Sequence, residues 1–278
     1  MINITLMLKI FYKPYLISGL QIMKIASFNV NSLRARLPIV LSWLEKNQPD
    51  ILCLQETKAQ DVDFPIGDFE ETDYQCVFKG QKSYNGVAIF SRHDITDAMF
   101  GFNEEPREQP RLICAQIKGI YIVNTYIPQG QSLESEKYQY KLEWFKRLKN
   151  YFSENFRPTD PVIWVGDFNI APTPIDVFNP EERENHVCYH IDGRNAMADV
   201  VNWGFTDIFR KHCPEPGQYS FWDYRSKVSF SQNRGWRLDH IMATESIAKK
   251  STASYIDKEP RTMTRPSDHV PIIAEFEV

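Results

Sequence analysis

Nothing in this chain of 278 residues approaches the roughly 20 consecutive apolar positions that a membrane-spanning helix requires, so a protein built on such helices is excluded. Cysteine is scarce too: the five are odd in number and none stands in a CxxC spacing, which leaves neither a zinc ribbon nor a disulfide framework. Cys53, Cys76 and Cys114 sit inside apolar, strand-like runs where a thiol acts as a small hydrophobe, and a reducing cytoplasm is the expected setting. GxGxxG and GxxxxGK(S/T) are both absent, so neither of these phosphate-cradling loops is encoded. No Gly/Ser-rich or Pro-rich linker, internal repeat or low-complexity segment divides the chain. With 42% hydrophobic residues there is material for a substantial core. The net charge of -4 decides nothing about nucleic acid, because a nucleic-acid binder is marked by where its charge lies and not by its total.

Residues 1–22 are apolar with scattered lysines, but Pro14 interrupts their longest run and no clear small-residue cleavage site follows. The expectation is an extension outside the fold, with a single domain over residues 23–278.

What the chain does have is a repeated strand ending. Val162 to Val165 form a continuous apolar run of the kind buried on both faces of a sheet; it stops at Gly166 and delivers Asp167 and Asn169. KIASFNVN ends in Asn29 and Asn31, ILCLQE in Glu56, YIVNTY in Tyr126, and WRLDH in Asp239 and His240. Packing gives no reason for so many core strands to finish in polar groups, whereas a shared mouth at their carboxyl ends does.

The coarse order is strand, helix, strand, then a meander. Leu37, Val40, Leu41 and Leu44 recur at helical spacing up to Gln48-Pro49, and Ile51 to Leu54 follow as a buried strand. Residues 59–73 are acidic and turn-rich, which places them at the surface. Strands are expected at 74–78, 86–91, 112–117 and 120–127, then at 219–222, 238–243 and 270–278. Helices are expected at 133–152 and about 194–203, the first with Lys137, Lys141, Lys146 and Lys149 on a solvated face. Helical units interleaved with meandering strands call for α/β layers of mixed sheets, not one parallel sheet.

Seven motifs in one order, FNVNSLRAR, LQETK, YNGVAIFSR, NTYIPQG, GDFNIAP, GWRLDH and RPSDHVP, make the chain from Met23 to Val278 resemble the exonuclease III family of apurinic/apyrimidinic endonucleases. The resemblance implies a four-layered α/β sandwich of two packed mixed β-sheets flanked by helices, with a Mg²⁺-dependent phosphodiesterase site at one edge. Mg²⁺ takes hard oxygen ligands, and Glu56 is the expected direct ligand, with Asn31 and Asp268 holding the ion or its waters; Mn²⁺ is the expected substitute. The resemblance further implies that Asp167 and Asn169 position the nucleophile, Asp167 as general base or as proton donor to the leaving group. His269 then contacts the phosphate with its tautomer fixed by Asp239. Tyr126 can donate to a phosphate oxygen, Asn29 braces the site, and His240 is expected to be structural. Lys58 and Arg34 stand near the metal motif or are surface charges.

For the substrate, the resemblance makes Phe221, Trp236 and Leu238 the walls of a pocket for a base-less sugar and places Tyr84, Asn85 and Gln131 along the DNA path. One stretch departs from the family: His186-Val187-Cys188-Tyr189 stands where an Asn-Ala-Gly-Phe-like turn is common, which bears on the balance between incision and 3′-end trimming. The expected function is Mg²⁺-dependent cleavage 5′ to abasic sites in double-stranded DNA, leaving a 3′-hydroxyl, with companion 3′–5′ exonuclease or 3′-end repair, by a monomer. The alternatives are a same-fold phosphodiesterase or phosphatase acting on RNA or small phosphorylated molecules, and a non-catalytic DNA-binding scaffold.

Overall fold

The computed structural model describes residues 21–102 and 109–278. The strands run β1 (Ile22–Asn29), β2 (Ile51–Gln55), β3 (Gln75–Lys79), β4 (Val87–Ser91), β5 (Ile95–Phe100) and β6 (Leu112–Ile117). They continue as β7 (Ile120–Tyr126), β8 (Val162–Asp167), β9 (Phe205–Asp207), β10 (Asp239–Thr244), β11 (Ser251–Ile256) and β12 (Ile272–Glu277). The helices are α1 (Leu33–Asn47), α2 (Glu136–Asn155), α3 (Ile191–Val201), α4 (Ile208–His212) and α5 (Glu245–Ala248).

Two six-stranded sheets result, ordered β11-β12-β1-β2-β4-β3 and β5-β6-β7-β8-β10-β9. Each has one parallel pair at its centre, β1 with β2 and β7 with β8, flanked by antiparallel pairs. The two sheets therefore repeat one pattern of pairing that no sequence repeat announces. Each parallel pair needs a crossover, and the crossovers are α1 and the longer α2.

Alternation along the strands sorts the core. Ile25, Cys53 and Ile89 of the first sheet meet Ile122, Val165 and Ile241 of the second. On the outer faces, Val40, Trp43 and Leu44 of α1 cover Phe28, Leu54 and Phe90, while Trp144, Phe145 and Phe152 of α2 cover Val123 and Trp164. The result is the expected helix–sheet–sheet–helix stack. One polar bridge crosses the central layer: the Gln55 amide donates to Asn124 Oδ1 (2.7 Å) and Ser27 Oγ (3.0 Å), and Asn124 donates to the carbonyls of Leu54 and Ala88. These buried bonds pin the two sheets in register directly behind their carboxyl ends, although the Gln55 side-chain oxygen itself has no hydrogen-bond partner.

The fold differs from expectation at its edges. β5, β9 and β11 lack a clean apolar alternation because they lie at or beside sheet edges, and the segment around Tyr219–Trp222 forms only isolated bridges from Phe221 to Trp236 and His269. Within residues 59–73, Phe64 stacks on Phe78 at 3.8 Å and Phe69 lies 4.5 Å from Phe90, so this surface loop is anchored by two aromatics. β1 begins one residue before Met23, and the Val278 N–H donates to the Gln21 carbonyl at 3.0 Å; residues 1–20 of the expected extension lie outside the described residues. Among the described residues no helix is long and apolar enough to cross a membrane.

Candidate active site

Three chain reversals build the site, two at the ends of β1 and β8 and one in the loop before β12, and all three use one device. Asn29 Oδ1 accepts from the Asn31 N–H (3.0 Å), Asp167 Oδ1 from the Asn169 N–H (2.9 Å), and Ser267 Oγ from the His269 N–H (3.2 Å). Asn, Asp and Ser favour such turns to the residue two further on, which stops the strand at Asn29 and Asp167 and bends the loop at Ser267. Asp167 and Asn169 thus converge through a turn and not through strand alternation, since β8 ends at Asp167 and Asn169 adopts φ 51°. Asn31, Glu56 and Lys58 are also left-handed, at φ 44°, 50° and 50°. A side chain in that region costs about 1–2 kcal/mol, and a cluster of such residues marks a place where geometry was favoured over stability. Gly166 has the opposite reason: a Cβ there would lie 1.9 Å from the Thr125 carbonyl oxygen, so glycine is needed for β8 to approach β7.

At the centre one amide group joins the two sheets. Asn29 Nδ2 donates to Glu56 Oε1 (2.9 Å), beyond the end of β2, and to Asp167 Oδ2 (2.8 Å), at the end of β8. Asn169 Nδ2 donates to the Ile127 carbonyl (2.9 Å) and lies 3.3 Å from Asp167 Oδ2. Asp239 Oδ2 is 2.8 Å from His269 Nδ1 and accepts from Ser220 Oγ at 2.6 Å, while His269 Nε2 faces Asp167 Oδ2 at 3.8 Å. Burial, together with the charges of Asp239 and Glu56, raises the Asp167 carboxyl above its ordinary value against the pull of His269. Burial alone would lower His269, but the carboxylates of Asp239 and Asp167 outweigh it and raise the imidazole. Tyr126 opens onto the same cleft, and burial followed by the nearby charges of Glu56 and Asp167 raises its phenol well above the usual range.

Beside this centre lies an oxygen cluster. Asn31 Nδ2 donates to Asp268 Oδ1 (3.0 Å), and the Lys58 ammonium sits between Glu56 Oε2 (2.7 Å) and Asn31 Oδ1 (2.6 Å). Burial works to raise Glu56, yet Lys58 and the hydrogen bonds from Asn29 and Lys58 hold it below its ordinary value. Two hard oxygens already converge on one positive group, so Glu56, Asn31 and Asp268 fit a Mg²⁺-type ion. Asp167, Asp239 and His269 form a second possible set, with ligand atoms within 4.8 Å of one another.

The remaining expected residues line two adjoining clefts. Phe221, Trp236 and Leu238 wall the cleft that contains Glu56, Asn169 and His269; Phe221 lies 4.8 Å from the His269 ring, and Trp236 lies 4.6 Å from the ring of His186. Tyr84, Asn85 and Gln131 line the second cleft, joined to the first through Tyr126 and Gln129. Arg34 is exposed on α1 and lines neither. Its place is taken by Arg36, which donates to the carbonyls of Asn31 (2.7 Å) and Pro266 (3.1 Å) and so ties the Asn31 turn to the segment carrying Asp268.

Residues 26–269 match the endonuclease/exonuclease/phosphatase family. The chain belongs to that family. The exodeoxyribonuclease III of Haemophilus influenzae is 34% identical over 267 residues, 91% of this chain and all of that one. An AP endonuclease from Archaeoglobus fulgidus is 47% identical and superposes with a TM-score of 0.90 over 92% of this chain and all of that one. A 3′ phosphatase from Neisseria, solved with a product DNA hairpin, is 38% identical with a TM-score of 0.87 over the same shares. Within the endonuclease/exonuclease/phosphatase family the chain is a DNA-repair nuclease of the exodeoxyribonuclease III type.

Two elements of this family member were not legible in its sequence. Arg237, between the pocket residues Trp236 and Leu238, is fully buried and donates to Asp176 (2.6 Å), Asp207 (2.8 Å) and His240 Nδ1 (2.9 Å). Because a guanidinium can only donate, His240 carries its proton on Nε2 and gives it to the Ile170 carbonyl; burial and then Arg237 lower it to about 3, so it is a neutral structural histidine as expected. Lys141, expected on a solvated face of α2, is buried instead. A polar residue with three apolar neighbours at helical spacing would have been the available signal, and the other lysines of α2 obscure it.

Proposed function

We propose that this nuclease hydrolyses the phosphodiester 5′ to abasic sites in duplex DNA and also processes 3′ ends, with Mg²⁺ as its ion. The observation that carries the reading is the Asn29 amide, which brings the carboxylate suited to a cation, Glu56, and the carboxylate suited to a base, Asp167, onto one NH₂ group. Glu56, Asn31 and Asp268 would hold Mg²⁺, which when bound supplies Lewis-acid neutralisation of the phosphate. Asp167, raised toward the working pH, takes the proton of the attacking water, Asn169 orients that water, and the 3′ oxygen released as the P–O bond breaks takes a proton from solvent to become the hydroxyl. His269, held by Asp239 through Nδ1, directs Nε2 at a phosphate oxygen; Tyr126 stays protonated and donates to another. The wall of Phe221, Trp236 and Leu238 admits a sugar without its base.

An end-labelled duplex with one abasic analogue, and a second with a 3′-phosphate, each incubated with and without Mg²⁺, tests this reading. Cleavage of neither duplex in any metal would remove it. Glu56→Gln is expected to raise the Mg²⁺ concentration for half-maximal activity about tenfold while leaving DNA affinity nearly unchanged. An unaltered metal titration would move the ion to Asp167, Asp239 and His269.

A second reading, in which 3′-end processing predominates, is favoured by one observation. His186 lies against Trp236, and its Nδ1 accepts from the Cys188 N–H at 3.1 Å, so its ring is fixed inside the cleft that an extruded sugar would enter. Burial, then Lys141, Arg183 and Arg225, lower it to about 4, so it is a neutral ring that excludes by size. His186→Ala is expected to raise incision at internal abasic sites relative to 3′-phosphate removal by about tenfold, the scale of a side chain's steric exclusion. An unchanged ratio would show that the ring leaves the pocket open.

A further inference from the structure

Lys141 has no exposed surface, and it reaches the site from α2, an element that carries none of the groups given a role above. Its ammonium donates to three main-chain carbonyls: Asn169 (2.8 Å), Val187 (2.7 Å) and Gln129 (3.1 Å). Three donors meet three acceptors, which is the full capacity of an ammonium. Burial lowers it only to about 8, so these bonds are made by a charged group at neutral pH. Each carbonyl belongs to a different segment. Asn169 follows the base Asp167, Val187 lies between His186 and Cys188 of the cleft wall, and Gln129 lines the passage between the two clefts.

The local backbone is shaped around this group. Asn169 spends its N–H on Asp167 Oδ1 and its side chain on Ile127, and its left-handed φ of 51° leaves the carbonyl free to face Lys141. Gly130, at φ 106°, closes the Gln129 loop over the lysine stem, where a Cβ would lie 2.9 Å from Tyr138 and 3.5 Å from Lys141 Cδ. The catalytic floor and the cleft wall also touch through Ala171 N–H to the Cys188 carbonyl (2.8 Å). That neutral bond and a weak one from Cys188 Sγ to Asn169 Oδ1 (4.0 Å) each fix one distance; three charge-assisted bonds from one point fix an arrangement.

We infer that Lys141 is a positioning residue: it holds the Asn169 carbonyl, the 186–188 wall and the Gln129 loop to one another, and so sets where the oriented water stands relative to the bound sugar or 3′ end. This rests on the reading of the site as a hydrolytic centre. A lysine that only stabilises the fold would leave the folded enzyme's turnover untouched. Lys141→Met keeps the stem and removes the donors, and Lys141→Arg restores a charged multiple donor.

The test combines hydrogen–deuterium exchange with steady-state kinetics on both duplexes at saturating Mg²⁺. In Lys141→Met, exchange at Asn169, Ala171, Cys188 and Tyr189 should rise together while β1 and β7 stay protected. kcat per folded molecule should fall about 10- to 100-fold, with KM changed less than threefold and Lys141→Arg recovering at least part of the loss. Unaltered exchange in the two segments, or a folded Lys141→Met enzyme with wild-type kcat, overturns the inference. If Lys141→Met does not fold, Lys141→Gln, with one amide donor group, is read by the same criteria. A wild-type protein that cuts neither duplex refutes the function reading, and the exchange comparison then decides whether Lys141 holds the two segments.

Discussion

Asp167→Asn is expected to lower cleavage of either duplex by at least about 10²-fold while leaving the fold intact. The asparagine is isosteric: its amide oxygen can still accept from the Asn169 N–H, as Asp167 Oδ1 does at 2.9 Å, so the turn after β8 is kept, while its NH₂ stands where Oδ2 accepted from Asn29. What is lost is basicity. No neighbouring group is placed to replace it, because His269 is held by Asp239 on Nδ1 and the carboxylates of Glu56 and Asp268, which line the same cleft, are engaged, Glu56 by Lys58 and Asn29 and Asp268 by Asn31. Asp167 is buried and its carboxyl is raised, so its charge is a cost to the folded state above the ordinary carboxylate range; removing that cost offsets the lost bond from Asn29, and the variant should remain folded at pH 7. A second consequence follows from reciprocity. Asp167 is one of the carboxylates, with Asp239 and Asp268, that raise His269, so the imidazole of Asp167→Asn should titrate at lower pH than in the wild type, which NMR of the ring protons would read. Near wild-type turnover in the variant would falsify the assignment of Asp167 as base.

The strand ends that carry Asn29, Glu56, Tyr126, Asp167 and Asp239 were legible because buried apolar runs have sharp boundaries in a sequence, and a polar residue at each boundary is conspicuous. Their convergence was not legible from periodicity. Asn31 and Asp268 are 237 residues apart and bond to one another, and only the order of the motifs, matched to a family, predicts that meeting. In SLRAR the charges alone do not say which arginine faces the site: the helix turns Arg34 to solvent, the surface charge of the alternative reading, and Arg36 toward the Asn31 carbonyl, two residues on. Edge strands failed for another reason. β5 pairs on one side only and leaves Thr96, Asp97 and Ala98 exposed, so the packing that writes alternation into a sequence is absent. Lys141 and Arg237 failed because a buried charge is legible only through its partners, and those of Lys141 are backbone carbonyls that carry no residue identity.

Arg237→Met should destabilise the protein by about 3–5 kcal/mol, the scale of removing one member of a buried ionic network. Its partners cannot follow it out: Asp176 is fully buried, and its carboxylate also accepts from Thr173 and Arg210, while Asp207 caps α4 through the Arg210 N–H. Burial opposes the Asp176 charge, but Arg237 and then Arg210 outweigh it and hold its carboxyl well below the ordinary value. A lowered acid contributes stability that is complete above its unfolded value of about 3.9 and is lost as the pH falls through the folded value. In Arg237→Met the same carboxylate loses its main partner, so its charge becomes a cost that protonation relieves. The gap between wild type and variant should be widest from pH 5 to 8 and narrow steadily below pH 4, as measured by urea unfolding across that range. A gap independent of pH would assign the loss to misfit of the methionine side chain. Arg237 lies between Trp236 and Leu238 and its N–H donates to the Asp176 carbonyl at 2.8 Å, so the network also seats the pocket wall. The surviving folded fraction of Arg237→Met should therefore bind abasic duplex more weakly, while the Mg²⁺ requirement proposed for Glu56, on the other sheet, should be unchanged.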